Sequence, residues 1–552
     1  MAAVALLIGI YSYLVFSLGI LGFLYKNTII FLTLVYLGGV LWYFRGGLGK
    51  VRPASLSGEL GFLGEIKKDR ISFLLFLILF VQVLVNLAGA LGPELGFDAL
   101  WYHLTLPKIY LQYHRILYIP GNLLYYSSMP KLIEMLYVSS LALQGEILAK
   151  IIHFLFGILS GLAIFNLSRR YLSFRASLLA TVSFYTSLVV GWQSITAYVD
   201  LARTFFEVLA LDYFLRWWKS EKSQDLIESA IFLGLAISTK MLALGSLPIF
   251  LTLIFIKYQK NLRNLSVFSP PCSPRCEAGC EAGLQYSVFS ILIPLPWLVF
   301  SFAHTHNPFY PLFSNILDSS HQIGSFNMIR FLTDFWNLFL RSADPIGPLF
   351  LIILPLIFIV RNKFKNSERM VLVYCLLAYI VWFFTPRTGG GRFFLPYLPA
   401  FCFMVAGVYE VVKKTAKGNI LMVFVFLVSL VNLTYRGIAN WRYLPAVFNK
   451  QSRGNFLINN LNFKFGDFYD YQGEIKNFLK PNDLVLTSGI HNLYYADFPY
   501  IDESWARPGL SVTHLLVRGN ISPALLKKVN NRPPIYFNSQ LNIRLYVLGG
   551  KL

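Results

Sequence analysis

The sequence predicts an α-helical polytopic membrane protein of about thirteen transmembrane helices with a small C-terminal α/β domain outside the membrane. Composition is the first observation behind this. Of 552 residues, 56% are hydrophobic and only 14% charged, and 49 Phe with 32 Tyr exceed what one soluble core buries. The second is the placement of charge. The net charge of +21 comes from Lys and Arg grouped in short clusters between apolar runs, the pattern of cytoplasmic loops rather than of a nucleic-acid surface. The third is a final stretch of lower hydrophobicity with turn signals and short β-type runs.

In chain order, Val4 to Leu24 lacks a basic leader and a small-x-small cleavage site, so it is expected to remain as an anchor. Thr28 to Phe44, Ile71 to Leu91, Leu148 to Ser168, Ala176 to Trp192 and Thr196 to Leu215 follow, each near the ~20 residues that cross ~30 Å of hydrocarbon. Later come Gln285 to Ala303, Ile346 to Val360, Met370 to Pro386, Leu395 to Val412 and Ile420 to Arg436. The basic clusters Arg45 to Arg70, Arg169 to Arg175, Arg216 to Lys222, Arg361 to Arg369 and Lys413 to Lys417 orient the spans, because such clusters stay in the cytoplasm. Asp225 to Tyr258 has basic residues at both ends, so the chain enters and returns there as two short helices that turn near Lys240. Pro130 to Leu143 reads as a helix lying at the outer interface, since a crossing there would invert Arg169 and Arg170.

This parity places the N-terminus inside and the C-terminus outside, and the cytoplasmic (inner) membrane is the expected location. Three segments then lie outside: Gly92 to about Ile147, His304 to Pro345, and all that follows Arg436. The expected division is two extra N-terminal spans with a basic loop (1–70), a transmembrane core with the outer loop 92–147 (71–436), and an extracytoplasmic α/β domain (437–552) with strands near Leu484 to Thr487 and Ile543 to Leu548. Cys272, Cys276 and Cys280 lie in a doubled Cys-Glu-Ala-Gly insert whose spacing fits no zinc site, and a flexible reduced loop is expected. Cys375 and Cys402 sit in apolar spans as packing residues.

The richest chemistry is Gly96-Phe97-Asp98-Ala99-Leu100-Trp101-Tyr102-His103 at the exit of the third span. A carboxylate where an apolar helix meets the outer surface suits a general base for a hydroxyl acceptor, and its aromatic neighbours, Tyr102 among them, offer a dry wall and a stacking face for a sugar. Asp98 equally suits the N-cap of a helix beginning at Ala99. His103 and Lys108 line the same site or bind headgroups. Asp200 marks an outer helix end, with Arg203 three residues on as a local ion-pair partner or with an active-site role of its own. Lys240 suits a phosphate or snorkels to water. Arg387 and Arg392 flank Gly389-Gly390-Gly391, where close backbone approach and two guanidinium groups suit a lipid phosphate. The residue types compel no cofactor, although Asp98 with Asp200 offers a place for a divalent metal if the fold joins them.

These residues carry a resemblance. Asp98 in the first large outer loop, Pro130-Lys131-Leu132, Arg169-Arg170, Asp200, Gly234 to Lys240, Asn307 to Pro311 and Arg392 to Pro396 are together similar to the C-type (GT-C) glycosyltransferases, in particular to bacterial protein mannosyltransferase-like and lipid A aminoarabinose transferase-like proteins. The resemblance implies a GT-C-like core, a polyprenyl-phosphate-linked sugar donor, inverting transfer to an envelope glycan, lipid or protein, and Asp98 in the position of the family's catalytic carboxylate. Ala99 stands where the mannosyltransferases have the second residue of an Asp-Glu pair. A polysaccharide polymerase or O-antigen-ligase-like enzyme is the nearest alternative. A lipid or solute transporter is the alternative outside enzymes, but its expected paired halves are not found.

Overall fold

The computed structural model describes residues 1–48, 64–67, 69–262, 274–314, 327–341, 345–385, 390–529 and 532–548. Seven described helices are long and apolar enough to cross a membrane: Ala2–Leu21, Lys26–Tyr43, Arg70–Ala90, Glu146–Arg169, Met241–Gln259, Asn366–Phe384 and Ala416–Trp441. The pair Glu277–Leu292 and Leu295–Thr305, bent by 65°, is an eighth if it counts as one span. The expected thirteen also include helices that fail one of these criteria. Ala176 to Trp192 is built as Phe174–Tyr185 and Leu188–Gln193, and Leu349–Val360 has 12 residues with Pro355 inside. The helix Asp200–Ser220 fails for its charges. It buries Asp200, Arg203, Glu207 and Asp212, which a span of this kind tolerates only when they face protein partners.

That charged helix is central, packed on Glu146–Arg169 and Ser223–Thr239. As expected, Asp225 to Tyr258 turns back on itself: Ser223–Thr239 and Ser246–Leu262 are joined by a 3-10 turn, Met241–Gly245, directly after Lys240. Leu132–Leu143 is a short apolar helix against which Ala2–Leu21 packs, with Tyr11 donating a hydrogen bond to Ser139 at 2.9 Å. One expectation for the cysteine insert is corrected. Cys276 and Cys280 belong to the helix Pro274–Leu292 rather than to a flexible loop, because the Glu-Ala repeat favours helix; Cys272 lies outside the described residues. Cys375 and Cys402 are free and buried.

The bundle has two chemically distinct ends. At one, the basic clusters find carboxylates: Arg175 with Asp69 at 2.8 Å, and Arg170 and Arg216 with Asp212 at 3.0 and 2.6 Å. At the other lie the 92–147 segment and a five-stranded sheet. Its strands are β1 (Val485–Ser488), β2 (Tyr500–Asp502), β3 (His514–Arg518), β4 (Tyr536–Asn538) and β5 (Ile543–Val547), in the order β2-β1-β3-β5-β4. β2, β1 and β3 are parallel, and β5 and β4 are added antiparallel. β1 and β5 coincide with the two β-type runs read from the sequence.

Candidate active site

The segment that carries Asp98 is fixed from beneath by buried charge. Lys150, fully buried in Glu146–Arg169, donates to the carbonyls of Gly89, Gly92 and Pro93 at 3.0, 2.6 and 3.0 Å, which satisfies the open C-terminus of Arg70–Ala90. The buried Glu94 carboxylate accepts the N–H groups of Leu95, Gly96 and Ala197 at 2.8, 2.6 and 2.6 Å. Two of these bonds shape the turn at residues 94–96, and the third joins it to the segment that leads into Asp200. On the other side of that segment, Leu201 donates its N–H to His153 Nε2 at 3.1 Å, so His153 Nδ1 carries the proton donated to the Thr196 carbonyl at 2.8 Å. Gly96 has no room for a side chain, since a Cβ would stand 2.9 Å from both Glu94 and Tyr198.

Asp98 does not cap a helix; its side chain makes no capping bond, and the turn that follows, Ala99–His103, is π-helical. Such widened turns recur at functional sites. Asp98 Oδ2 instead accepts from Arg392 Nη1 at 2.7 Å and from the Tyr102 hydroxyl at 3.1 Å, and the Asp98 N–H donates to the Tyr198 hydroxyl at 3.1 Å. Burial pushes the Asp98 carboxyl up, but Arg392, His103 and Lys240 together outweigh it and hold it below the ordinary carboxylate range. Arg392 stands 5.1 Å from the ring centres of Tyr198 and Phe393. Tyr102 stacks on Tyr126 with ring centres 3.7 Å apart, and Phe97 and Trp101 extend this aromatic wall toward His491.

A second ion pair adjoins the first. Lys240 donates to Asp200 Oδ1 at 2.7 Å and lies 5.3 Å from the Phe393 ring, so its ammonium is held inside rather than led out to water. The local pairing of Asp200 with Arg203 is corrected: Arg203 binds Glu207 at 2.7 Å one turn further along. A helical i,i+4 partner was open to Arg203, while Asp200 at the first position faced the turn that brings in Lys240. Arg392 feels both Asp98 and Asp200 electrostatically, so the two pairs form one cluster. His103 is buried, with Nδ1 2.8 Å from Glu134 Oε1, and thus does not face headgroups. Three buried polar atoms in the cluster have no partner among the described residues: Asp200 Oδ2, His103 Nε2 and Arg392 Nε. Such orphaned groups are costly unless something else meets them.

Lys108 stands apart from this cluster. It donates to the carbonyls of Tyr494 and Ala496 at 2.8 and 2.6 Å and ties the helix Thr105–Gln112 to the C-terminal region. Arg387 lies outside the described residues. For a divalent ion, Asp98 and Asp200 are the available oxygens, each engaged by a cation. The described residues contain no group of three or more His, Cys, Asp and Glu placed to hold a metal. Sequence reasoning missed Glu94, Glu134, Lys150, His153 and Tyr198. The signal open to it was Lys150 and His153, three residues apart within an apolar span, where ionisable groups are rare unless they have work to do.

The helical bundle and the C-terminal sheet domain together have a GT-C-like fold. Among the solved structures with this likeness is ArnT from Cupriavidus metallidurans. In the apo state that structure gives a TM-score of 0.55 at 11% identity, covering 87% of this chain and 98% of that one. Bound to undecaprenyl phosphate it gives a TM-score of 0.52 at 14% identity, covering 86% of this chain and 97% of that one. Residues 135–268 match the family model described as dolichyl-phosphate-mannose-protein mannosyltransferase. No curated protein is similar to the chain in sequence.

Proposed function

We propose that the chain is an inverting membrane glycosyltransferase. It moves a hexosyl or pentosyl group from a polyprenyl-phosphate donor to an envelope glycan, lipid or protein on the extracytoplasmic face of the inner membrane. The observation that carries this reading is the contact of Asp98 with Arg392 across 294 residues of sequence, beside the Asp200–Lys240 pair. One base and two cations in a buried cluster beside an aromatic wall match the charges that such a transfer develops. Asp98 accepts the proton of the acceptor hydroxyl, whose oxygen forms the new bond to the anomeric carbon. The bond from that carbon to the phosphate oxygen breaks, and its electron pair leaves with the phosphate. A phosphate needs charge stabilisation rather than a general acid, and Arg392 with Lys240 supplies it.

The resting ion pair suggests how donor binding activates the base. While Arg392 is bound to Asp98, the carboxylate is a weak base. A donor phosphate competes for the guanidinium, and as Arg392 turns to it, Asp98 recovers basicity in a partly dry pocket. Tyr102 keeps the carboxylate oriented, and His103 Nε2 offers a polar atom to the sugar. The sidedness rests on the grouping of basic residues at the opposite end of the bundle. The test is transfer of radiolabelled sugar from polyprenyl-phosphate donors to envelope extract in proteoliposomes, with wild type compared with Asp98→Asn at matched expression. Turnover lost in the variant supports the reading. Equal turnover in both removes Asp98 from the chemistry, and no turnover by wild type with any donor defeats glycosyl transfer.

A further inference from the structure

Between the helix Thr105–Gln112 with the loop after it and the C-terminal sheet domain run two cavities, of about 710 and 790 Å³, that have Gln112 and Asp497 in common. They adjoin along this seam as one cleft of two compartments, and neither is lined by Asp98, Arg392, Asp200 or Lys240. We infer that this cleft is a saccharide-binding subsite that holds the glycan portion of the acceptor; the assignment deepens the glycosyltransferase reading and rests on it.

The first cavity is walled by the rings of Tyr113, Tyr118, Tyr500 and Trp505, with Gln112 and Arg507 at its edges. Aromatic faces beside amide, carboxylate and guanidinium groups suit pyranose rings, whose C–H faces stack while their hydroxyls hydrogen-bond around the rim. The Tyr500 ring lines this cavity, while its hydroxyl has no hydrogen-bond partner among the described residues. The second cavity is more polar and contains Lys108, Glu146, Arg453 and Lys476.

The walls are fixed against each other, as a preformed site requires. Lys108 bonds two carbonyls of the C-terminal chain. Gly121, at φ 92°, comes so near the C-terminal domain that a Cβ there would stand 2.0 Å from the Ser504 carbonyl oxygen. Trp505 packs against the same cluster that buries Tyr102 and Tyr110. The eight residues Thr105–Gln112, about 12 Å of helix, follow directly on the turn after Asp98, so the cleft lies along the element that leads away from the catalytic residues. A peptide strand is the poorer occupant, because the edge strand β2 offers only three residues for pairing.

The test measures binding separately from transfer. Full-length protein in nanodiscs is titrated with fluorescently labelled oligosaccharides released from envelope extract, and polarisation is read for wild type, Tyr113→Ala and Arg507→Ala. Tyr113 is 61% exposed, so its truncation leaves the fold intact. Wild type is expected to bind, and each variant to bind about tenfold more weakly with acceptor-free donor hydrolysis unchanged. Absence of glycan binding by wild type, equal binding by both variants, or binding of labelled peptides from the same extract in place of glycans overturns the assignment. Glycan binding that depends on Tyr113 in a protein that turns over no donor upholds the cleft and defeats the transfer reading instead.

Discussion

Asp98 and Arg392 hold each other at 2.7 Å, and the chemistry at this site turns on how tightly. Asp98→Asn is expected to lower transfer by about 10²- to 10⁴-fold, the usual contribution of a positioned base, in the proteoliposome assay. Arg392→Ala makes a distinguishable prediction. With Arg392 present, the Asp98 carboxyl titrates below its ordinary value of about 3.9, so the base form persists to low pH and rate is lost only as pH falls through that lowered value. Removing Arg392 deletes the largest lowering influence and leaves burial, which raises the carboxyl, so the acid limb of kcat/KM is expected to move to higher pH. A limb that stays in place in an active variant contradicts the coupling. Asp200 and Lys240 answer to stability as well. Lys240→Met strands a buried carboxylate at a cost of about 3–5 kcal/mol, whereas the double variant with Asp200→Asn recovers much of it, as read by thermal unfolding in detergent. The residue types at these positions were legible in the sequence. Their partners were not, since Arg203 lies three residues from Asp200 on the same helix and yet binds Glu207.

At the scale of elements, long apolar runs are legible because burial in lipid demands continuous apolar length. Arg70–Ala90 and Glu146–Arg169 fall within two residues of the bounds read from the sequence. The turn at Lys240 was legible from charge alone. What escaped was the buried polar framework, because a lone Glu94 or Lys150 has no pattern in a sequence; its meaning lies in which backbone groups it meets. Glu94 joins two non-helical segments through three N–H groups, one of them 103 residues away. Glu94→Gln retains the shape but leaves one amide N–H₂ facing donors. It is expected to cost about 1–3 kcal/mol and to speed hydrogen exchange at Gly96 and Ala197 while the Ser223–Thr239 helix stays protected.

At the scale of the whole molecule, the two ends of the bundle differ in their grouping of basic residues, a pattern legible in the sequence because the bilayer interior excludes charge. The meeting of Asp98 with Arg392, and of the Thr105–Gln112 helix with the C-terminal domain, required the packed bundle. Lys108 is the plainest case: read as a site residue, it clamps that domain to the membrane core. Burial lowers its ammonium from 10.5 to about 8. The free, undocked chain therefore binds more protons than the docked one between about pH 8 and the ordinary lysine value, so docking is expected to strengthen as pH rises through that window. Hydrogen exchange across Asn492 to Phe498 reads this directly. It is expected to slow from pH 8 to pH 10, after correction for intrinsic rates, in the wild type, and to be faster and free of this trend in Lys108→Ala. The same trend in both proteins would mean that another group holds the domain in place.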